Sequence, residues 1–143
     1  MIQPGSKIRV LLVDHDITQL EMIEIALGRT EKAFIFATAN SAAEALELIH
    51  IQPFDCIISD YVMPIMNGVE FCEKLRAEGY YTPFILFTYR DDVKMIEKAF
   101  KSGIDSYLEK LPSLDIYSVL AQRVKDLVST YRASHALRNI VKV

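Results

Sequence analysis

Two periods of apolar and polar positions alternate along the chain. Continuous apolar runs occur from Lys7 to Val13 (KIRVLLV), Phe34 to Ala37, Asp55 to Ser59, Pro83 to Thr88 (PFILFT) and Ile104 to Leu108. They are short for helices and several are rich in β-branched residues, which predicts strands, the central ones buried on both faces. Between the runs the period changes. Ile17 to Leu27 has apolar residues at Leu20, Ile23 and Leu27 with Glu21 and Glu24 between them, an amphipathic helix. Asp16 or Thr18 can cap its start, and Gly28 is expected to end it. Ser41 to His50 reads as a helix with a capping box, Ser41 at the N-cap and Glu44 three residues on. Val69 to Ala77 reads as a third helix closed by Gly79. A fourth opens at Asp91-Asp92, where acids suit the helix dipole, and stops at Gly103. Pro112-Ser113 opens a last helix that continues beyond residue 130.

Five strands alternating with five helices predict an α/β protein with one doubly wound parallel sheet, helices on both faces. Right-handed crossovers then bring the carboxyl ends of all the strands to one edge. In such sheets ligands sit outside those ends.

The length of 143 residues suits one domain, and 51% hydrophobic with 24% charged residues is ordinary globular composition. No apolar run approaches the roughly 20 residues that span a bilayer. Met1 to Gly5 shows no basic-then-apolar leader pattern. Cys56 and Cys72 lie in apolar segments without a CxxC motif and read as buried thiols, in keeping with a cytoplasmic location. Charge is uneven. Residues 1–120 carry 18 acids and 11 bases, net −7, whereas residues 121–143 carry net +4. The acidic body argues against nucleic acid as a partner, and the basic end, lacking a dense Lys/Arg block, reads as a solvated helix face.

The strand ends carry the candidate chemistry. Strand one runs into Asp14-His15-Asp16, strand three into Asp60, strand four ends in Thr88, and Lys110 follows strand five. Singly, acids cap helices, threonines end strands and lysines sit in loops. Together they bring carboxylates, a hydroxyl and an ammonium to one edge, a set suited to a phosphoryl group with a divalent cation. A carboxylate among them can serve as nucleophile in aspartyl-phosphate formation. After Asp60, Pro64 cannot continue a ladder, and Asn67-Gly68 is a turn pair able to take φ > 0.

These residues carry a family resemblance. Val13-Asp14, then Asp60-x-x-Met63-Pro64-x-Met66-Asn67-Gly68, then Thr88 closing an apolar run, then Tyr107-x-x-Lys110 resemble the receiver domain of two-component response regulators over about residues 7–130. The resemblance implies a flavodoxin-like (βα)5 fold with strand order 2-1-3-4-5. It implies a receiver over residues 1–130 and a C-terminal helical extension or linker over 131–143. It implies that Asp60 takes a phosphoryl group from a histidine kinase or phosphotransfer domain. Asp14, Asp60 and the backbone carbonyl of Val62 would hold Mg²⁺, with Thr88 and Lys110 on phosphoryl oxygens. Tyr107 would be the switch aromatic, turning inward as Thr88 moves. The output face would be helix four, strand five and helix five, which, with the C-terminal helix, is also a candidate homodimer surface. The chain would be a stand-alone receiver or the receiver part of a larger protein such as a hybrid histidine kinase, with self-phosphorylation and autodephosphorylation as its only chemistry.

Four departures shape further expectations. His15 stands where the family has a second acid, and imidazole is a poor ligand for so hard an ion. Mg²⁺ is therefore expected to bind weakly and Mn²⁺ better, with His15 or Asp16 as a further ligand. Tyr89, large where the family is small, is expected to lie over the acidic edge. With Val62 unable to position water, the acyl phosphate is then expected to be long-lived. Leu111 separates Lys110 from Pro112, and a cis Lys110–Leu111 bond would cost about 3–4 kcal/mol, so this loop is expected to be set differently from the family's Lys-Pro junction. Ala133, Leu137 and Ile140 continue the last helix in a shifted apolar phase.

Two other readings compete. Asp14-His15-Asp16-Ile17-Thr18 fits the DxDxT motif of haloacid-dehalogenase-type phosphatases, with Asp14 as nucleophile and Asp16 as general acid. That chemistry needs a later acidic pair, whereas only Asp115 and Asp126 follow Lys110, and Asp91-Asp92 come too early. The other reading is an interaction module that keeps the fold without phosphorylation. A flavin-binding domain is disfavoured because no Ser/Thr/Gly-rich phosphate loop follows strand one.

Overall fold

The structure is a computed structural model that describes residues 6–141. Residues 1–5, the stretch without a basic-then-apolar leader pattern, and the end of the C-terminal extension lie outside the described residues. The elements run β1 (Ile8–Val13), α1 (Ile17–Thr30), β2 (Phe34–Ala39), α2 (Ala42–Ile51), β3 (Cys56–Ser59), α3 (Gly68–Ala77), β4 (Phe84–Thr88), α4 (Val93–Ser102), β5 (Ser106–Glu109) and α5 (Asp115–Val141). All strand pairs are parallel, in the order β2-β1-β3-β4-β5 expected from the resemblance.

Alternating residues of the central strands feed two cores. Leu11, Val13, Ile57, Phe84 and Leu86 face α2, α3 and α4 through Leu46, Cys72, Leu75 and Ala99. Val10, Leu12, Ile58, Ile85 and Phe87 face α1 and α5 through Leu20, Leu27, Leu120 and Val124. Burial on both faces is why these strands read as unbroken apolar runs.

Several local expectations need correction. α1 does not stop at Gly28 but runs on to Thr30, and the Glu31 N–H donates to Leu27 O. A helical glycine costs only about 1 kcal/mol relative to alanine, and the packing of fully buried Leu27 carries the helix through it. Ser41 caps α2 with Oγ accepting from Glu44 N at 3.1 Å, but the complete two-way box is at α3, between Asn67 and Glu70. Asn67-Gly68 is not a left-handed pair: Asn67, at φ −77°, is the N-cap, and among the described residues the non-glycine position with positive φ is Ile65 at 73°. Gly68 is small for a different reason, since a Cβ there would lie 2.3 Å from the backbone oxygen of Asp60. Gly103 does take the left-handed cap of α4.

α5 packs on α1 through Leu120, Val124 and Val128, and one turn further on the Arg132 guanidinium donates to Ser6 Oγ and Lys7 O at 3.2 Å and pairs with Asp55 at 3.4 Å. Beyond it the helix leaves the body, and Ala133, Leu137 and Ile140 are exposed. No helix of the described residues is long and apolar enough to cross a membrane.

Candidate functional site

Strand register builds the site. β1 and β3 pair with Val13 opposite Ser59, so the next residues, Asp14 and Asp60, emerge side by side. This is where the strand order reverses direction, the position at which an open α/β sheet forms its crevice. Backbone bonds fix both stems: Asp60 N donates to Val13 O at 2.9 Å and Asp14 N to Ala39 O at 3.1 Å. On the other side Thr88 pairs with Glu109, and Lys110 N donates to Thr88 O at 2.8 Å.

Asp14, Asp60, Thr88 and Lys110 are all buried. The Lys110 ammonium donates to Asp14 Oδ2 at 2.7 Å and to Asp60 Oδ2 at 3.4 Å. Its Nζ lies 5.7 Å from the ring centre of Phe87 and 5.2 Å from that of Tyr89, within cation–π range. The remaining carboxylate oxygens accept from the backbone, Asp14 Oδ1 from Asp16 N at 3.0 Å and Asp60 Oδ1 from Tyr61 N at 2.7 Å. Two buried carboxylates share one ammonium, so the cluster keeps one net negative charge.

Asp14, His15 and Asp60 each offer a ligand atom, all within 4.8 Å of one another. Ligands about 2.0–2.6 Å from a common centre fall within that spacing, so the donor set fits one divalent ion. The His15 ring is half exposed, with Nδ1 3.8 Å from Asp14 Oδ1. Asp16 is not part of this group. Its Oδ1 accepts from Thr18 N at 3.0 Å and Gln19 N at 3.3 Å, capping α1. Val62 lies two residues past Asp60 with its side chain half exposed. The phosphatase geometry does not assemble. Asp16 is committed to the cap, Asp126 accepts from Gln122, and exposed Asp115 lies in the first turn of α5.

Thr88 Oγ1 accepts from Arg90 N at 3.4 Å, and the Tyr107 hydroxyl donates to Arg90 O. The loop from β4 to α4 is thus tied to both residues expected to switch. Tyr107 is half-buried; desolvation, then Glu109 and Asp91, push its phenol above the usual tyrosine range. Tyr89 is exposed, with its ring beside the Lys110 ammonium and its hydroxyl 3.5 Å from Gln19 Nε2. It therefore covers the Lys110 side of the edge. The junction Lys110–Leu111 is trans, as are the other described peptide bonds.

Two contributors were missed from the sequence. Arg90 stacks its guanidinium 4.9 Å over the Tyr61 ring and pairs with Asp92, the N-cap of α4. Tyr61 in turn follows Asp60 directly and accepts from Asn67 Nδ2 at 3.4 Å. Nothing distinguishes a lone arginine in a polar loop; only an aromatic beside Asp60 hinted at a partner. Cys56 and Cys72 are buried away from the edge, and burial pushes both thiols up, that of Cys72 to about 11.

A family model described as "Response regulator receiver domain" matches residues 10–117. Among curated relatives, "Response regulator MprA" of Mycobacterium leprae (strain TN) is 29% identical over 132 residues, covering 92% of this chain and 56% of that protein. Its namesake from Mycobacterium ulcerans (strain Agy99) is 32% identical over 103 residues, covering 72% and 44%. The chain thus spans about half the length of these relatives. Among solved structures, the Francisella response regulator 1452 receiver domain superposes with a TM-score of 0.78 at 29% identity, covering 87% of this chain and 99% of that one. The chemotaxis response regulator CheY4 of Vibrio cholerae does so with a TM-score of 0.74 at 29% identity, covering 83% and 99%.

Proposed function

The chain belongs to the response regulator receiver family of two-component signalling, and from that premise we propose that it is a phosphorelay receiver whose acceptor is Asp60. The observation that carries this reading is the buried Lys110 ammonium, 2.7 Å from one carboxylate of the edge and 3.4 Å from the other. Attack by an Asp60 carboxylate oxygen on the phosphorus of a phosphohistidine forms an O–P bond as the N–P bond breaks. The imidazole leaves with the electron pair and takes up a proton. Lys110, already within reach of Asp60, neutralises a phosphoryl oxygen, and the Thr88 hydroxyl hydrogen-bonds another.

A divalent cation, Mg²⁺ or Mn²⁺, would supply charge neutralisation when bound, and Asp14, Asp60 and the Val62 carbonyl would hold it. Exchanging the Asp60 carboxylate for an acyl phosphate, whose group charge is about −1.5 to −2, moves negative charge out onto the phosphoryl oxygens and draws the Thr88 hydroxyl inward. That movement breaks the Arg90–Thr88 contact, frees the loop and lets the Tyr107 ring repack. α4, β5 and α5 then form the output face and a homodimer surface. The segment from residue 131, helical as far as Val141, serves as a C-terminal helical extension or linker. The phosphodonor is a histidine kinase or phosphotransfer domain, and the setting is cytoplasmic. Trapping tests the assignment. Borohydride reduces an acyl phosphate to an alcohol, so an aspartyl phosphate becomes homoserine, found by peptide mass mapping. Homoserine at position 60 supports the reading; at position 14, or nowhere after exposure to a small-molecule phosphodonor, it overturns it. Homoserine nowhere favours the interaction module.

A further inference from the structure

Resting on the reading of Asp14 and Asp60 as a divalent-cation site, we propose that His15 makes that site selective for late first-row transition cations of the Co²⁺, Ni²⁺ and Zn²⁺ class over Mg²⁺. Three observations support this. First, the imidazole is within the ligand cluster, its nitrogen with the Asp14 and Asp60 oxygens inside one 4.8 Å set. Second, no strong bond holds it elsewhere: its 3.8 Å approach to Asp14 is too long for a hydrogen bond, and half the side chain is open to solvent. Third, the nearby acid that would otherwise harden the site is spent. Asp16 turns its carboxylate into the first turn of α1, while its N–H holds Asp14 Oδ1 at 3.0 Å.

Charge points the same way. With Lys110 bonded to both carboxylates, the cluster carries one negative charge where a second acid in place of His15 would give two. Mg²⁺ is held by charge and oxygen and dehydrates reluctantly, so it loses most from that exchange. An imidazole nitrogen suits Zn²⁺, Ni²⁺ and Cu²⁺, and divalent affinities rise from Mn²⁺ through Co²⁺ and Ni²⁺. The nitrogen adds to that rise, so the signature is a change in metal ratio between variants.

Calorimetric titration of the full chain with Mg²⁺, Mn²⁺ and Co²⁺, with the Co²⁺ visible absorption band as a second readout, tests this in wild type, His15→Asp and His15→Ala. Wild type is expected to bind Co²⁺ about 100-fold tighter than Mg²⁺, with Mn²⁺ between. His15→Asp is expected to tighten Mg²⁺ about tenfold and shrink the Co²⁺/Mg²⁺ ratio at least as much. His15→Ala is expected to lose about tenfold in Co²⁺ affinity with Mg²⁺ little changed, while His50→Ala and His135→Ala leave both alone. Co²⁺ affinity and absorption unchanged in His15→Ala, or equal Mg²⁺ affinity in wild type and His15→Asp, would overturn the proposal while leaving the cation site intact. If no variant binds any of the three metals, the underlying reading of the edge fails and takes the proposal with it.

Discussion

Gly68→Ala is the sharpest single-methyl perturbation the fold offers. Gly68 opens α3 immediately behind the acidic edge, and its N–H donates to Tyr61 O at 2.8 Å. An added Cβ would stand 2.3 Å from Asp60 O, 3.1 Å from Asp60 C and 2.9 Å from Leu86 Cδ1. The leucine methyl can rotate away; the Asp60 carbonyl cannot without moving the residue that carries the proposed acceptor. Overpacking of a dense interior costs about 1–3 kcal/mol, and a backbone clash belongs at the upper end. For a chain of this length, about 3 kcal/mol lowers Tm by roughly 10 °C. Two other glycines separate this contact from generic glycine effects. At Gly28 a Cβ meets only Phe36 Cε2 at 3.7 Å, so Gly28→Ala in mid-helix is expected to stabilise by about 0.5–1 kcal/mol. At Gly79 nothing lies within 4 Å but φ is +87°, so Gly79→Ala costs about 1–2 kcal/mol through backbone strain alone. Thermal and urea unfolding of the three variants, with acceptance of phosphate from acetyl phosphate, give the comparison. Gly68→Ala is expected to be the least stable and to lose phosphate acceptance, while the other two keep it. A Gly68→Ala protein as stable as wild type, with Asp60 still reactive, would refute the idea that close approach to Asp60, not turn conformation, requires this glycine.

Lys110→Met leaves two buried carboxylates facing each other without their cation; loss of one partner from a buried pair costs about 3–5 kcal/mol, so urea unfolding should show a large drop, and an unchanged midpoint would deny the bond its role. Tyr89→Ala and Val62→Asn are expected to shorten the lifetime of the acyl phosphate several-fold, followed by decay of the phosphorylated mass; an unchanged lifetime in both would count against shielding of this edge. Glu31 is held below the usual carboxylate range by its bond from Ala33 N and by Lys125, 3.1 Å away on α5. Its contribution is therefore complete above the ordinary carboxylate pKa and is lost as pH falls through the lower folded value. Glu31→Gln should cost at most about 1 kcal/mol at pH 7, a solvent-screened pair, and progressively less as pH falls below the ordinary carboxylate pKa; an equal loss at neutral and acid pH would contradict this.

How much of this was legible in the sequence follows from where information is local. The central strands were readable because residues such as Ile57, Ile58, Ile85 and Leu86 are buried on both faces, so their runs are unbroken. Asp14, Asp60, Thr88 and Lys110 were readable because strand ends in a parallel sheet share an edge, and the register of β1 with β3 and β4 with β5 then brings them together. The exchange of roles between Asn67 and Gly68 was not readable. A turn pair and a capped helix start use the same residue types, and the decisive fact, the approach of Asp60 O, joins positions eight residues apart. Arg90 stacked on Tyr61 was invisible for the same reason, since it joins two loops from different strands. The choice between His15 and Asp16 was open in the sequence; only the cap geometry of α1 separates them.

Asp60 is the proposed phosphate acceptor, at an edge it shares with Asp14 and Lys110. Intact mass after incubation with acetyl phosphate and Mg²⁺ or Mn²⁺, beside Asp60→Asn, tests it most directly. One added phosphoryl mass in wild type and none in Asp60→Asn is the predicted result. The same gain in both proteins, or no gain in wild type under either metal, would contradict it.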